Sequence, residues 1–188
     1  MYRRVFASLF LVACRAGQPD AFDTASVTDP YADEVVLFSA ALVDDEPSVP
    51  HRGAEHALGA PDYDGVYACS SQAGCTFVSL GDGGSLTLRF SDNRLTGSGD
   101  DAPDLRVVEV GPDMEDPAVE LSTDALTWYS GPVDSAWNID IDAWGLPAAI
   151  EFEYVRLTDD RRRGQPTGRS VGADIDAVEA LGSVPAPP

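Results

Sequence analysis

Basic residues are scarce in this chain. Its 188 residues include 12 Lys and Arg against 32 Asp and Glu, for a formal net charge of −20 at pH 7. Removing residues 1–13 takes away Arg3 and Arg4 and no acidic residue, which leaves 10 basic and 32 acidic residues and a net charge of −22. Such a charge opposes binding to nucleic-acid phosphates and to anionic membrane surfaces. We therefore expect no nucleic-acid partner.

Long apolar runs and catalytic signatures are missing as well. No stretch approaches the roughly 20 apolar residues that a transmembrane helix needs. The sequence has no Gly-x-Ser-x-Gly elbow, no phosphate-binding loop and no dinucleotide fingerprint. We expect a protein that is not an enzyme. The many acidic residues keep a hydrolase with paired carboxylates open as the less favoured alternative.

The N-terminus combines a short basic segment with a short apolar one. Residues 1–4 include two arginines, and residues 5–13 are apolar apart from Ser8. Nine residues are too few to span a bilayer but suit the apolar region of a signal peptide, which has about 7–15 residues. The phrase Leu11-Val12-Ala13-Cys14 resembles the lipobox of bacterial lipoproteins. The resemblance implies cleavage after Ala13 and a lipid on Cys14.

This resemblance implies a location outside the cytoplasm of a bacterium, with the membrane contacted only through the lipid. Arg15, rather than Asp, follows Cys14, which by resemblance to enterobacterial sorting favours the outer membrane or the cell surface. An ordinary secretory signal, a buried strand that ends in Cys14, and twin-arginine export remain alternatives. Residues 14–34, short of aliphatic residues, are predicted to form a flexible tether.

The cysteine count is odd, which calls for explanation in a secreted protein. If Cys14 carries the lipid, Cys69 and Cys75 remain as a pair around five small or polar residues. An oxidising compartment favours a disulfide between them. Two free thiols are the alternative, and a zinc site is not favoured because no second cysteine pair exists.

Residues 35–182 show short strand patterns separated by turns. Apolar and polar residues alternate, and Gly, Asp and Pro bound the segments. The pattern predicts an all-β domain, a two-layer antiparallel β-sandwich of about 8–9 strands. The expected strands cover residues 35–43, 76–80, 85–90, 104–110, 119–123, 127–129, 137–141, 150–157 and 175–181. Residues 183–188, with three prolines, are predicted to be a disordered tail.

Several phrases occur in an order typical of a known fold. They are His56–Asp62, Leu80–Phe90, Asp104–Gly111, Val119–Asp124, Tyr154–Asp159 and Gly172–Ala180. The series resembles secreted bacterial domains with a galactose-binding-like jelly roll, akin to discoidin or F5/8 type C modules. The chain departs from the pattern at Ala125, where glycine is usual. Because alanine tolerates a positive φ poorly, we expect a differently built hairpin there.

The same resemblance implies a structural calcium ion between an early loop and the last strand. Asp62 and Asp64 match the loop, and Asp174, Asp176 and Glu179 match the strand. Residues that are two positions apart on a strand, such as Asp174 and Asp176, point to the same face of the sheet. Carboxylate oxygens are typical calcium ligands. Turn formation and solvation are the alternative explanation for acid-rich loops.

Aromatic residues suggest a carbohydrate site, since their faces pack on sugar rings. Tyr63, Tyr67, Trp128, Tyr129, Trp137 and Trp144 are the candidates, with Trp137 and Trp144 expected to be the more exposed. Arg162 lies in the only run of three basic residues and is a candidate ligand contact. Packing in the core is the alternative for the aromatics, and solvation is the alternative for the basic run. The predicted function is a glycan-binding module, with a structural or interaction component of the cell envelope or surface as the alternative.

Overall fold

The computed structural model describes residues 28–111, 115, 117–147, 149–160 and 168–187. Short strands dominate this part of the chain, and single turns of 3₁₀ helix lie at Val49–His51, Ala54–Ala57, Gln72–Gly74 and Asp142–Trp144. The strands are β1 (Glu34–Ser39), β2 (Val78–Ser79), β3 (Ser85–Arg89), β4 (Asn93–Leu95), β5 (Leu105–Glu109), β6 (Ala118–Ser122), β7 (Tyr129–Ser130), β8 (Asn138–Ile139), β9 (Tyr154–Thr158), β10 (Asp174–Ala180) and β11 (Ser183–Pro185). None of the helices found in these residues has the length and apolar character to cross a membrane.

Two antiparallel sheets form the layers of the domain. The larger has the order β1-β3-β9-β6-β7, and the smaller has the order β2-β10-β5-β8. Strands β4 and β11 form a separate two-stranded ribbon. The prediction of an all-β, two-layer antiparallel sandwich is confirmed, with eleven strands in the described residues rather than eight or nine.

One apolar core lies between the two sheets. Leu86 and Leu88 of β3 and Leu157 of β9 contribute to it from the larger sheet. Val107 of β5 and Ile175 of β10 contribute from the smaller one. Since side chains of a strand point alternately to its two faces, the remaining side chains of the larger sheet form an outer face.

The domain extends beyond both boundaries predicted for it. Val184 in β11 pairs with Arg94 in β4, so the predicted disordered tail is wrong for Ser183–Pro185. At the other end, Ala32 is 1% exposed and Tyr31 forms a bridge with Glu179. The predicted tether therefore includes residues that belong to the folded domain.

In the hairpin between β6 and β7, the backbone is left-handed at residue 125, where this chain has alanine and the galactose-binding-like pattern has glycine. Ala125 has φ 58°. The Asp124 carboxylate accepts hydrogen bonds from the backbone N–H groups of Leu126 and Thr127, both at 2.8 Å. Such local bonds support a turn that alanine by itself disfavours.

Candidate functional site

Trp137 lies in the core and not at the surface. Its side chain is 2% exposed, and it packs in the cluster that also contains Ile139 and Ile141. The prediction that Trp137 provides an exposed sugar-stacking ring is therefore wrong. The alternation of Trp137, Ile139 and Ile141 contained the signal for this, because residues two apart on a strand share a face.

Trp144 is half-buried and packs against the loop that precedes β8. Its indole Nε1–H donates to the carbonyl oxygen of Pro132 at 3.0 Å. A Cβ atom on Gly131 would lie 2.2 Å from Cδ1 of the indole, so the ring is in close contact with that backbone. Trp144 therefore secures the loop that precedes β8 and does not offer a free face.

Tyr63 and Tyr67 pack together on the ring of Phe77. The Tyr67 and Phe77 rings are stacked with their centroids 5.2 Å apart, and Tyr63 meets Phe77 edge-on at 5.9 Å. The disulfide between Cys69 and Cys75 belongs to the same cluster, which confirms the predicted pairing. These two tyrosines are structural neighbours of the disulfide loop. Arg162 lies outside the described residues.

The His51 ring also lies close to this disulfide. One ring nitrogen of His51 and both sulfur atoms are within 4.8 Å of one another. The sulfurs are bonded to each other and provide no thiolate for a metal. The ring is held by Ser48 Oγ at 2.8 Å and by the carbonyl oxygen of Tyr67 at 3.3 Å, so we interpret the histidine as part of the packing.

The acidic residues predicted for calcium are brought together only in part. The Asp176 carboxylate meets the early loop, where it accepts hydrogen bonds from the backbone N–H groups of Asp62 at 3.2 Å and Tyr63 at 3.4 Å. Asp64 accepts from Val66 within its own turn. The contact between loop and strand therefore includes amide donors, which stabilise a carboxylate, and the Asp62 side chain. Burial, followed by the charge of Asp62 and a hydrogen bond with it, raises the pKa of Asp176.

Asp174 and Glu179 have partners of other kinds. Asp174 is completely buried and accepts hydrogen bonds from the hydroxyls of Tyr67 and Ser79. Its burial raises the pKa of this carboxyl to about 8. Glu179 forms an ion pair with Arg106 on β5. Within the described residues, the five predicted carboxylates do not form one cluster with ligand distances.

A different acidic cluster, which was not predicted from the sequence, lies at one end of the smaller sheet. Carboxylate oxygens of Asp104, Asp140 and Asp142 lie within 4.8 Å of one another. Asp104 is buried and accepts from the backbone N–H groups of Ser98 at 2.7 Å and Ile141 at 2.9 Å. Oxygens of this kind suit calcium, but their amide donors give them a role in ordering the two loops that meet here.

The outer face of the larger sheet carries an aromatic ring beside a charged pair. Arg156 on β9 lies opposite Glu120 on β6, and both its Nε and its Nη2 lie 2.7 Å from Glu120 Oε2. The guanidinium carbon stands 4.1 Å from the centroid of the Trp128 ring. We call Trp128, Arg156 and Glu120 the sheet-face group. All three side chains are partly exposed.

Beside the sheet-face group, the same face of the sheet carries a buried threonine and an exposed leucine. Thr87 on β3 lies opposite Arg156, and Leu37 on β1 lies opposite Thr87. Leu37 is 60% exposed. Tyr129, the residue after Trp128, packs against the core. The sequence named both rings as candidates, and only the structure distinguishes the one beside Arg156 from the one against the core.

Comparison with known proteins returned no match of any kind. No protein-family model matches the chain, and neither the curated proteins nor the solved structures include a similar one.

Proposed function

We propose that this chain is a lipid-anchored, extracytoplasmic binding module without enzymatic activity, and that it binds carbohydrate at the sheet-face group. The observation that carries the proposal is a partly exposed tryptophan held beside an arginine–glutamate pair on an open sheet face. The apolar face of a pyranose packs on an aromatic ring. The guanidinium supplies hydrogen-bond donors and the carboxylate supplies acceptors for sugar hydroxyls.

The three side chains are arranged before any ligand arrives. Glu120 and the Trp128 ring both hold Arg156. Little side-chain entropy is then lost on binding, which favours affinity. Because the whole chain carries a net charge of −20, acidic glycans are repelled. We therefore infer a neutral oligosaccharide as the ligand.

The lipid anchor belongs to the same proposal and rests on the lipobox resemblance at Cys14. Cys14 and most of the predicted tether lie outside the described residues.

Substitution on the outer face tests carbohydrate binding. We expect the wild-type chain to bind neutral oligosaccharides on a glycan array, and Trp128→Ala and Arg156→Ala each to weaken binding at least about tenfold, the effect of losing about 1.4 kcal/mol. Leu126→Ala is the matched control, since Leu126 is an exposed residue of the same hairpin. Isothermal titration with the best array ligand measures the affinities.

Two results would remove the proposal. One is an array on which the wild-type chain binds no glycan, and the other is unchanged affinity in the Trp128→Ala variant. Cleavage of the oligosaccharide during the titration would show that the protein is a hydrolase and not a binding module.

A structural or protein-interaction role in the envelope is the second candidate, and the edge strand β1 favours it. This strand is at the edge of the larger sheet and exposes Val36 and Leu37. An apolar edge strand offers unpaired backbone groups and apolar contacts to another protein. If this is the function, Leu37→Glu abolishes association with the envelope partner in a cross-linking experiment, and Trp128→Ala leaves that association unchanged.

A further inference from the structure

A histidine ring lies against the two sulfur atoms of the disulfide. One ring nitrogen of His51 and the sulfurs of Cys69 and Cys75 all lie within 4.8 Å of one another, and all three residues are buried. Zinc binds cysteine sulfur at about 2.3 Å and histidine nitrogen at about 2.0–2.1 Å, so the ligand atoms of one tetrahedral ion are about 3.5–3.8 Å apart. The three atoms therefore converge on one small cation once the two sulfurs separate.

The His51 ring is held in position by three contacts. Its Nδ1 lies 2.8 Å from Ser48 Oγ, and its Nε2 lies 3.3 Å from the carbonyl oxygen of Tyr67. The ring also packs on Phe77, with the two centroids 5.5 Å apart. A metal-binding histidine is typically oriented by a hydrogen bond to its other nitrogen. The ring is thus oriented before any metal arrives.

Ser48 can hold the ring in either tautomer. A carbonyl oxygen only accepts, so in a neutral ring Nε2–H donates to Tyr67 and Nδ1 accepts from the serine hydroxyl. Ser48 Oγ also lies 3.3 Å from the carbonyl oxygen of Arg169. When the hydroxyl donates to that oxygen, it accepts from Nδ1–H instead. The longer contact, to Tyr67, is then the one that a metal replaces.

We propose that His51, Cys69 and Cys75 form a zinc site when the disulfide is reduced, and that the disulfide closes this site to metal in the oxidised chain. Two cysteines and one histidine, with water in the fourth position, occur as a zinc ligand set. Sulfur and imidazole ligands select zinc over calcium and magnesium. The net charge of −20 attracts divalent cations to the chain. The histidine takes the place of the second cysteine pair that the sequence lacks.

A dithiol reductant interconverts the two states. One of its thiolates attacks a sulfur of the disulfide, and the bond between Cys69 and Cys75 breaks as a mixed disulfide forms. The second thiol of the reductant then displaces the cysteine, so the reductant leaves as a disulfide and the chain gains two electrons and two protons. Zinc binding releases both thiol protons. Residues 70–74 of the loop are exposed, which gives the reductant a route to the sulfurs.

Metal titration of the reduced and the oxidised chain tests the site. The full-length chain carries Cys14→Ser, so that Cys69 and Cys75 are its only cysteines. It is reduced with dithiothreitol, separated from the reagent without oxygen and titrated with Zn²⁺ against a fluorescent indicator. We expect one zinc per reduced chain, bound at least about 100-fold more tightly than by the oxidised chain, since removal of even an outer partner of a ligand costs 10–100-fold. Co²⁺ is expected to give a sulfur-to-metal charge-transfer band in the reduced chain alone.

A pair of histidine variants locates the site. His51→Asn is expected to weaken zinc binding by the reduced chain at least about tenfold, because one of three protein ligands is lost. His56→Asn is the matched control and keeps the affinity. His56 also contacts the disulfide loop, through the carbonyl oxygen of Gln72 at 2.8 Å, but among the described residues only His51 has a ring nitrogen grouped with the two sulfurs.

Alkylation gives a readout that does not depend on a variant. Zinc is expected to protect both Cys69 and Cys75 of the reduced chain from iodoacetamide, as measured by mass spectrometry. This measurement and the cobalt spectrum use the chain with its His51 intact, so they test the site even if His51→Asn does not fold.

Three outcomes overturn the proposal. The first is equal zinc affinity of the reduced and oxidised chains, which would assign the ion to the acidic surface. The second is a reduced chain that shows neither a charge-transfer band with cobalt nor protection of its cysteines by zinc. The third is a folded His51→Asn variant with unchanged zinc affinity, which would exclude the histidine as a ligand.

Discussion

At the scale of single residues, burial determines the chemistry of Asp174. The residue begins β10, where it is enclosed by the hydroxyls of Tyr67 and Ser79. Burial, with a smaller contribution from the negative charge of Glu115, raises the pKa of Asp174 to about 8 against the opposing effect of the two hydroxyl hydrogen bonds. Burial, followed by the charge of Asp174, also raises the pKa of Tyr67. The aspartate is therefore predominantly protonated in the folded protein at pH 7, and a protonated carboxyl is a poor cation ligand.

This protonation makes the free energy of unfolding depend on pH. The carboxyl binds its proton up to about pH 8 in the folded state but only up to about pH 4 in the unfolded chain. The folded state holds more protons between these values, so stability falls as pH rises from about 4 to 8 and then levels off. We expect the decrease in the free energy of unfolding between pH 5 and pH 8 to be smaller in Asp174→Asn than in the wild type by about 1–3 kcal/mol. Urea unfolding of both proteins at pH 5 and pH 8 measures it.

A second buried acid, Glu109, is electrostatically linked to Asp174. Burial first, and then hydrogen bonding to Glu115, raise the pKa of Glu109 to about 9, and the negative charge of Asp174 is a smaller cause in the same direction. Glu109 therefore contributes a pH dependence of the same sign to both proteins, and the difference between them reports Asp174 together with its effect on Glu109. Equal pH dependence in the wild type and Asp174→Asn would contradict the prediction.

At the scale of elements, the turn between β2 and β3 is locked against the segment that leads into β10. The backbone N–H of Gly81 donates to the carbonyl oxygen of Val171 at 2.9 Å. Gly172 has φ 78°, and a Cβ atom placed on it would lie 2.5 Å from the carbonyl oxygen of Gly81. This contact sets where β10 starts and hence where Asp174 lies.

A matched pair of glycines tests this packing. Gly59 has φ 74°, close to that of Gly172, but a Cβ atom on it would meet nothing within 4 Å. We expect Gly59→Ala to lower the free energy of unfolding by about 1–2 kcal/mol, the cost of a left-handed alanine. Gly172→Ala should cost at least about 3 kcal/mol, because backbone overlap adds to the strain. Urea unfolding gives both values, and equal costs would show that the close approach is not important.

The strands themselves differ in how well the sequence predicts them. All nine expected segments overlap a strand. Most of them place apolar residues at every second position, and residues 35–43 and 127–129 were expected from an apolar run and from aromatic residues. The two that were missed, β4 and β11, pair with each other. Asn93-Arg94-Leu95 has little alternation, and β11 ends in a proline, so neither carries the usual local signal.

At the scale of the whole molecule, the proposed anchor and the acidic domain act together. A net charge of −22 after removal of residues 1–13 repels an anionic membrane. Attachment through a lipid on Cys14 would then hold the domain near the membrane while its charge keeps it away from the surface. The sheet-face group would remain accessible in such an arrangement.

The attachment is tested by changing single cysteines in cells. Cys14→Ser is expected to move most of the protein from the membrane fraction to the soluble fraction and to abolish incorporation of a labelled fatty acid. The double variant Cys69→Ser/Cys75→Ser is the control, since it removes the disulfide and keeps Cys14. Fractionation followed by immunoblotting measures the distribution. Membrane association that survives Cys14→Ser would show that the lipid is not the anchor.

The sequence by itself determined the fold class and most of the strands, and it predicted the disulfide with two free thiols as the alternative. Each of these depends on local order: alternation positions the core face of a strand, and a separation of six residues brings Cys69 to Cys75. Only the tertiary structure decided which aromatic ring faces solvent and which carboxylates meet. Asp62 and Asp176 are 114 residues apart, and Asp29 and Asn93 are 64 apart. Such contacts follow from the pairing of whole strands, and burial then decides whether a carboxylate is available to a ligand.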